Sequence, residues 1–170
     1  MEYYAQVSSP LGMLTLRSSG QAVTGLWIGE PGSDIPPSSY QKGSGEIPVL
    51  QALTEWLRIY FRGENPSFSI LCEPEGTDFQ QRVWHQIQRV PYGQMMTYGE
   101  IARILNREKP EHPTSPRAVG QAVGRNPIPI VIPCHRIIGA GSRLTGYAGG
   151  LDKKIRLLRL EGIPAQHMPL

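Results

Sequence analysis

The sequence predicts an α+β protein: an N-terminal antiparallel β-sheet with a helix, followed by a mainly helical domain with a helix-turn-helix. Three observations carry this expectation. Short runs of alternating apolar and polar residues fill 2–29, and apolar residues at helical spacing dominate from 77 onward. The charge balance also changes sign between the two parts: residues 1–76 carry four Lys/Arg against eight Asp/Glu, a net −4, and residues 77–170 carry thirteen against six, a net +7. Two domains are therefore expected, 1–76 and 77–170.

The elements follow in order. Tyr3, Ala5 and Val7 alternate with polar neighbours, and Ser8 to Gly12 turns the chain. Met13, Thr15 and Leu16 continue a second strand, Ser18-Ser19-Gly20 turns again, and Val23 to Ile28 makes a third. Residues 30–47 are rich in Pro, Ser and Gly without periodicity, which predicts a loop. Over about 48–62, Leu50, Leu53, Trp56, Leu57 and Tyr60 share one helical face, and Gly63 ends the helix. Ser67 to Leu71 can form another strand, and Glu73 to Gly76 is the expected linker.

The second half opens on a capping box, Thr77 with Gln80, followed by Phe79, Val83, Ile87 and Val90 at helical intervals. Pro91-Tyr92-Gly93 breaks that helix. Thr97 with Glu100 is a second capping box, with Ile101, Ile104 and Leu105 facing inward. A polar stretch, Asn106 to Thr114, leads to Ser115-Pro116, a cap and a first-turn proline that start the next helix. Two short helices joined in this way predict a helix-turn-helix. A last helix at about 151–161 places Leu151, Ile155 and Leu158 on one face, and Gly162 stops it.

Composition narrows the function. No stretch approaches the roughly 20 apolar residues that cross a bilayer, and the N-terminus carries no secretory pattern. A cytoplasmic protein with reduced thiols is expected, since two cysteines, Cys72 and Cys134, make no disulfide framework. His85, His112 and His167 lack ligand spacing, so no metal is expected. The basic second half is either a solvated face or a surface for a polyanion. The helix from Arg117 to Arg125 carries small residues at Ala118, Gly120, Ala122 and Gly124. Each internal glycine costs about 1 kcal/mol relative to alanine. Two readings explain that cost: tight packing against another helix, or close approach to a broad surface such as a DNA groove.

Asn126-Pro127-Ile128-Pro129-Ile130-Val131-Ile132-Pro133-Cys134-His135-Arg136 is the most informative segment. Cationic neighbours favour the thiolate, the nucleophilic form of cysteine. Neighbouring side chains on an extended chain point to opposite faces. His135 therefore reaches the Cys134 thiol through a water or a kinked backbone. The alternative is that Cys134 is a small buried apolar residue.

Ile132-Pro133-Cys134-His135-Arg136 resembles the active-site signature of the O6-alkylguanine-DNA alkyltransferases, the methylated-DNA–protein-cysteine methyltransferases. The likeness continues through Pro91-Tyr92-Gly93, Thr97 to Ala102, Arg117-Ala118-Val119-Gly120, Asn126-Pro127, Thr145 to Gly150 and Leu157 to Gly162, covering about 77–163. Between these motifs, Asn106 to Ser115 is several residues longer than is usual in the family. The resemblance implies DNA repair by irreversible, single-turnover transfer of an alkyl group from O6-alkylguanine to Cys134, and leaves O4-alkylthymine open as a further substrate. It implies no cofactor, a flipped-out base, minor-groove binding to double-stranded DNA, and a monomer. It makes 77–170 the DNA-binding, alkyl-accepting domain and 1–76 a scaffold. His135 would be the base, Glu161 its partner, Asn126 a brace of the active-site turn, and Tyr98 a donor to the guanine. Arg117 would fill the gap in the base stack. Tyr147, Ala148 and Pro129 would line the guanine pocket, and Ala118, Gly120 and Arg136 would face the DNA. Two other readings stand beside this one: a Cys-His hydrolase, and a DNA-lesion binder without chemistry.

Overall fold

The computed structural model describes residues 2–29, 46–147 and 149–164, and the α+β architecture expected from the sequence is observed. The chain divides into two compact units, Met1–Glu75 and Gly76–Leu170. The first is a meander of β1 (Tyr3–Ser9), β2 (Gly12–Ser18) and β3 (Val23–Ile28), antiparallel in the order β1-β2-β3, with α1 (Pro48–Phe61). The first turn is built from side-chain chemistry. Ser9 Oγ donates to the Gly12 carbonyl at 2.7 Å and accepts from Leu11 N at 3.1 Å, while Gly12 takes φ 99°, a region that favours glycine. Leu14, Leu16 and Leu26 of the sheet are buried, as are Leu50, Leu53, Leu57 and Tyr60 of α1. Trp56 lies half-buried, stacked on Tyr60 at 5.4 Å.

Ser67 to Leu71 does not form the expected strand. The chain just after it makes one parallel bridge, Val23 with Cys72, closed by hydrogen bonds from Val23 N to Leu71 O and from Glu73 N to Val23 O. Leu71 and Phe68 stay exposed, so alternating side chains have no surface to pack on. Most of the expected 30–47 loop, 30–45, lies outside the described residues.

The second unit contains α2 (Asp78–Gln88), β4 (Met96–Thr97), α3 (Tyr98–Glu108), α4 (Pro116–Gly124), a 3₁₀ turn at Cys134–Arg136, β5 (Ile137–Ile138) and α5 (Leu151–Leu160). Both capping boxes form. Thr77 and Gln80 exchange side-chain and backbone hydrogen bonds at the start of α2, and Thr97 and Glu100 do so at α3. Ser115 caps α4. Asn106 closes the long stretch after α3 by bonding both the N–H and the carbonyl of Thr114. The buried indole of Trp84 on α2 donates to the Ala122 carbonyl at 2.8 Å, tying α2 to α4.

Two features were not legible locally. β4 and β5 pair in parallel, Met96 with Ile137 and Thr97 with Ile138, which brings the start of α3 beside the segment after Cys134. The inner face of α5 is Lys154, Leu157 and Leu158 rather than the expected Leu151, Ile155 and Leu158. Leu151 is exposed and Ile155 only partly buried, because α5 turns Lys154 inward to meet backbone carbonyls.

Candidate active site

Cys134 stands on a strained, braced turn. Asn126 holds it from both ends: its amide N donates to the Ile132 carbonyl at 2.8 Å, and its amide O accepts from Ile128 N at 3.0 Å. Between them Ile130 takes φ 74°, an outlier for a β-branched residue. Pro129 and Ile130 are buried in this turn. The chain then kinks into the 3₁₀ turn, with Cys134 N on the Ile132 carbonyl and Arg136 N on that of Pro133. The backbone at Cys134-His135 is thus kinked rather than extended.

The residues after the thiol form a buried ionic cluster. His135 is 0% exposed, and its Nε2 lies 2.5 Å from Glu161 Oε2. The other carboxylate oxygen, Oε1, accepts from Arg136 Nε at 2.7 Å and from Gly93 N at 3.0 Å. Glu161 is the C-cap of α5 and is buried, not an exposed helix-end carboxylate. Gly93 sits at φ 77° with the Glu161 carbonyl 3.3 Å from where a Cβ would stand, which accounts for the glycine of Pro91-Tyr92-Gly93.

Arg136 requires a correction. Expected at the DNA, it is instead buried: Nη1 donates to the Val90 carbonyl at 2.8 Å, Nε binds Glu161, and the guanidinium lies over the Tyr92 ring. A buried guanidinium with Nε and Nη1 engaged inside the protein is poorly placed to offer its fork to a phosphate.

Burial sets the protonation states. It raises the pKa of the Cys134 thiol, opposed by Asn126, by the charge of Lys154 and by the peptide N–H groups of Cys134 and His135. Burial lowers the pKa of His135, with Glu161 pulling the other way. Burial also raises that of Glu161, but the hydrogen bonds and charges of His135 and Arg136 win and hold it at about 2. Burial thus favours the protonated thiol, while Glu161 stays ionised behind the imidazole. With Nε2 facing the carboxylate, Nδ1 is the nitrogen that can take a proton.

A groove of about 910 Å³ is lined by Tyr98, Arg117, Gly120, Gly124, Gly139, Thr145, Gly146 and Tyr147 among others; Cys134 is not one of its lining residues. The groove brings together residues from α3, α4 and the segment before α5. Tyr98 OH lies 2.7 Å from Thr145 Oγ1. Tyr147 OH is buried without a hydrogen-bond partner among the described residues. A Cys134 thiolate would raise the pKa of both tyrosines, so the thiol and the two phenols share one electrostatic neighbourhood. Ala148 lies outside the described residues.

On α4, Val119, Ala122 and Val123 face inward, whereas Arg117 is exposed and Ala118 and Gly120 are half-buried. The packing explanation for the two glycines does not hold. A Cβ at Gly124 would meet nothing within 4 Å, and one at Gly120 would make ordinary contact with Tyr98 at 3.7 Å. A second groove, lined by Thr77, Phe79, Gln80, Ala118 and Arg125, flanks the other side of α4.

Lys154 and Thr145 also belong to this neighbourhood, and neither was marked as a site residue by the sequence. Lys154 is 0% exposed, and its Nζ donates to the Ile137 carbonyl at 2.7 Å and the Thr145 carbonyl at 3.1 Å. Burial lowers its pKa to about 8, opposed by Cys134. A lysine in Asp152-Lys153-Lys154 reads as a solvated helix face; the one available signal was its place on the inward side of α5. No group of three or more His, Cys, Asp or Glu among the described residues could hold a metal ion, and no described helix is long and apolar enough to cross a membrane.

Residues 78–163 match the family described as 6-O-methylguanine DNA methyltransferase, DNA binding domain. The methylated-DNA–protein-cysteine methyltransferase of Haemophilus influenzae is 44% identical over 163 residues, 95% of this chain and 87% of the relative. That of Methanosarcina acetivorans is 41% identical over 162 residues, 94% and 98% of the two chains. The crystal structure of Mycobacterium tuberculosis OGT in complex with DNA is 39% identical, with a TM-score of 0.80 over 98% of this chain and 95% of that one. The chain belongs to the family of methylated-DNA–protein-cysteine methyltransferases.

Proposed function

We propose that this protein repairs DNA by transferring an alkyl group from the O6 atom of guanine to the Sγ of Cys134, once per molecule. The observation that carries this reading is a buried cysteine on a braced turn, backed by a buried His135–Glu161–Arg136 cluster, together with a groove rimmed by a small-residue helix. His135 takes the thiol proton, directly or through a water. Glu161 stabilises the imidazolium that forms, and Arg136 keeps Glu161 ionised. The thiolate attacks the alkyl carbon, the C–O6 bond breaks, and its electron pair stays on the guanine. The product is a thioether that water does not reverse, which makes the reaction single-turnover. Displacement at a saturated carbon with a stabilised leaving group needs no metal or redox cofactor.

A buried thiol cannot reach a stacked base, so the lesion leaves the helix at a cost of a few kcal/mol. Arg117, exposed at the first turn of α4, fills the vacated stack. Ala118, Gly120 and Gly124 let the α4 backbone approach closely, which suits the narrow minor groove better than the usual side-chain readout in the major groove. Tyr98 donates to the guanine, and Tyr147 and Pro129 wall its pocket. The protein acts as a monomer, with 77–170 carrying the chemistry and 1–76 supporting it.

The test is stoichiometry. Duplex DNA containing O6-methylguanine is mixed with limiting protein, and restored guanine is counted. One lesion repaired per protein is expected. Repeated turnover, as a Cys-His hydrolase would show, or binding without repair, would overturn the proposal.

A further inference from the structure

We infer that Thr145 is a positioning residue for this reaction: its hydroxyl holds the Tyr98 phenol and donates to the phenol oxygen, leaving the phenol O–H to donate to the departing guanine. The inference rests on the reading of Cys134 as the alkyl acceptor.

Tyr98 opens α3, and Thr145 lies in the segment between β5 and α5; their hydroxyl oxygens are 2.7 Å apart although 47 residues separate them. Both line the same groove. Thr145 is itself anchored. Its carbonyl accepts from Lys154 Nζ at 3.1 Å, and the same Nζ donates at 2.7 Å to the carbonyl of Ile137, the residue that follows the Cys134–Arg136 turn. One buried ammonium thus ties Thr145 to the strand that leaves the nucleophile. On the other side the chain closes from Gly139 N to the Arg143 carbonyl at 2.7 Å.

The chemistry needs such a partner. A phenol that gives its single proton to a guanine ring nitrogen still has lone pairs to satisfy. A hydroxyl donating to one of them polarises the phenol O–H and strengthens the outgoing bond. During transfer the sulfur–carbon bond forms and the C–O6 bond breaks. The released electron pair stays on the guanine, where the Tyr98 hydrogen bond meets it. Thr145 then opposes the negative charge that builds on the phenol oxygen. The phenol pKa points the same way: burial raises it, and the Thr145 hydroxyl is the contact that lowers it. Valine keeps the shape of threonine and removes its hydroxyl.

The test is a double-mutant cycle on the full chain, read as single-turnover methyl transfer from duplex O6-methylguanine. Transfer by the parent is established first by mass, so failure of the parent tests the proposed function and not this inference. Thr145→Val should slow transfer about tenfold, the loss of one hydrogen bond to a charge-developing group. Thr145→Ser should restore the rate to within about twofold, and Thr145→Val in a Tyr98→Phe background should add no more than about twofold. Carbamidomethylation of Cys134 by iodoacetamide, followed on its own peptide, needs no guanine leaving group and should change less than about twofold. If Thr145→Val melts at the assay temperature, Thr145→Ala against Thr145→Ser asks the same question. The inference is overturned if Thr145→Val costs as much without the Tyr98 hydroxyl as with it. It is equally overturned if serine fails to rescue, or if iodoacetamide slows in parallel.

Discussion

Glu161 splits its carboxylate between two partners: Oε2 meets His135 Nε2 at 2.5 Å and Oε1 meets Arg136 Nε at 2.7 Å, all three side chains being buried. The arginine supplies a permanent charge that keeps the carboxylate ionised. The histidine can then become cationic without leaving a buried charge unpaired.

Glu161→Gln keeps the shape and loses the charge. Alkyl transfer should slow by at least about tenfold, within the 10²–10⁴-fold worth of general base catalysis. Stability should fall by roughly 3–5 kcal/mol, since Arg136 loses its counter-ion in the interior. The parent should also lose stability in acid. The carboxyl titrates at about 2 when folded, below its ordinary 4.5, so its contribution is complete above pH 4.5 and is lost as the pH falls toward about 2. The variant should lack that acid-dependent loss. Single-turnover rates and melts from pH 2 to 7 check both; an unchanged rate in a folded variant would remove Glu161 from the mechanism.

Arg136→Met should destabilise the protein by about 3–5 kcal/mol while leaving the DNA affinity of the folded fraction unchanged, because the guanidinium faces Glu161 and Val90 rather than solvent. Melts and fluorescence anisotropy with undamaged duplex separate the two. A large affinity loss without a stability loss would return Arg136 to the DNA.

Gly120→Ala and Gly124→Ala should move stability and binding in opposite directions. Each should raise stability by up to about 1 kcal/mol through helix propensity, since neither Cβ would clash. Each should weaken DNA binding by obstructing close approach of α4. Affinity that rises or holds would place the DNA elsewhere.

Arg117→Ala should slow repair in duplex DNA far more than reaction with free O6-benzylguanine, which needs no flipping. Rates on the two substrates decide; equal losses would show that Arg117 acts outside the flipped state.

What the sequence disclosed was local or motif-like. The two capping boxes are complete within four residues each, and both form. The Pro133-Cys134-His135-Arg136 run is local too, but it points to Cys134 only together with the motifs arranged around it. What it hid depends on distant partners. The burial of Arg136 rests on Glu161, 25 residues later, and on Val90, 46 residues earlier. Lys154 is polar in a polar run, and its inward turn is set by the carbonyls of Ile137 and Thr145. Strands of two residues, such as Met96–Thr97 and Ile137–Ile138, are too short to leave an alternating pattern. Ser67 to Leu71 has the pattern of a strand but lacks a surface to cover, and it stays irregular.

In the proposed reaction the Cys134 sulfur becomes the alkyl carrier. The direct measurement is peptide-resolved mass spectrometry after reaction with duplex DNA containing O6-methylguanine, on the parent and on Cys134→Ser. The parent should gain one methyl group in place of a proton, on the peptide containing Cys134, with Cys72 unmodified and the serine variant unchanged while still binding DNA. A methyl group found on another residue, or repair by Cys134→Ser at the parent's rate, would contradict it.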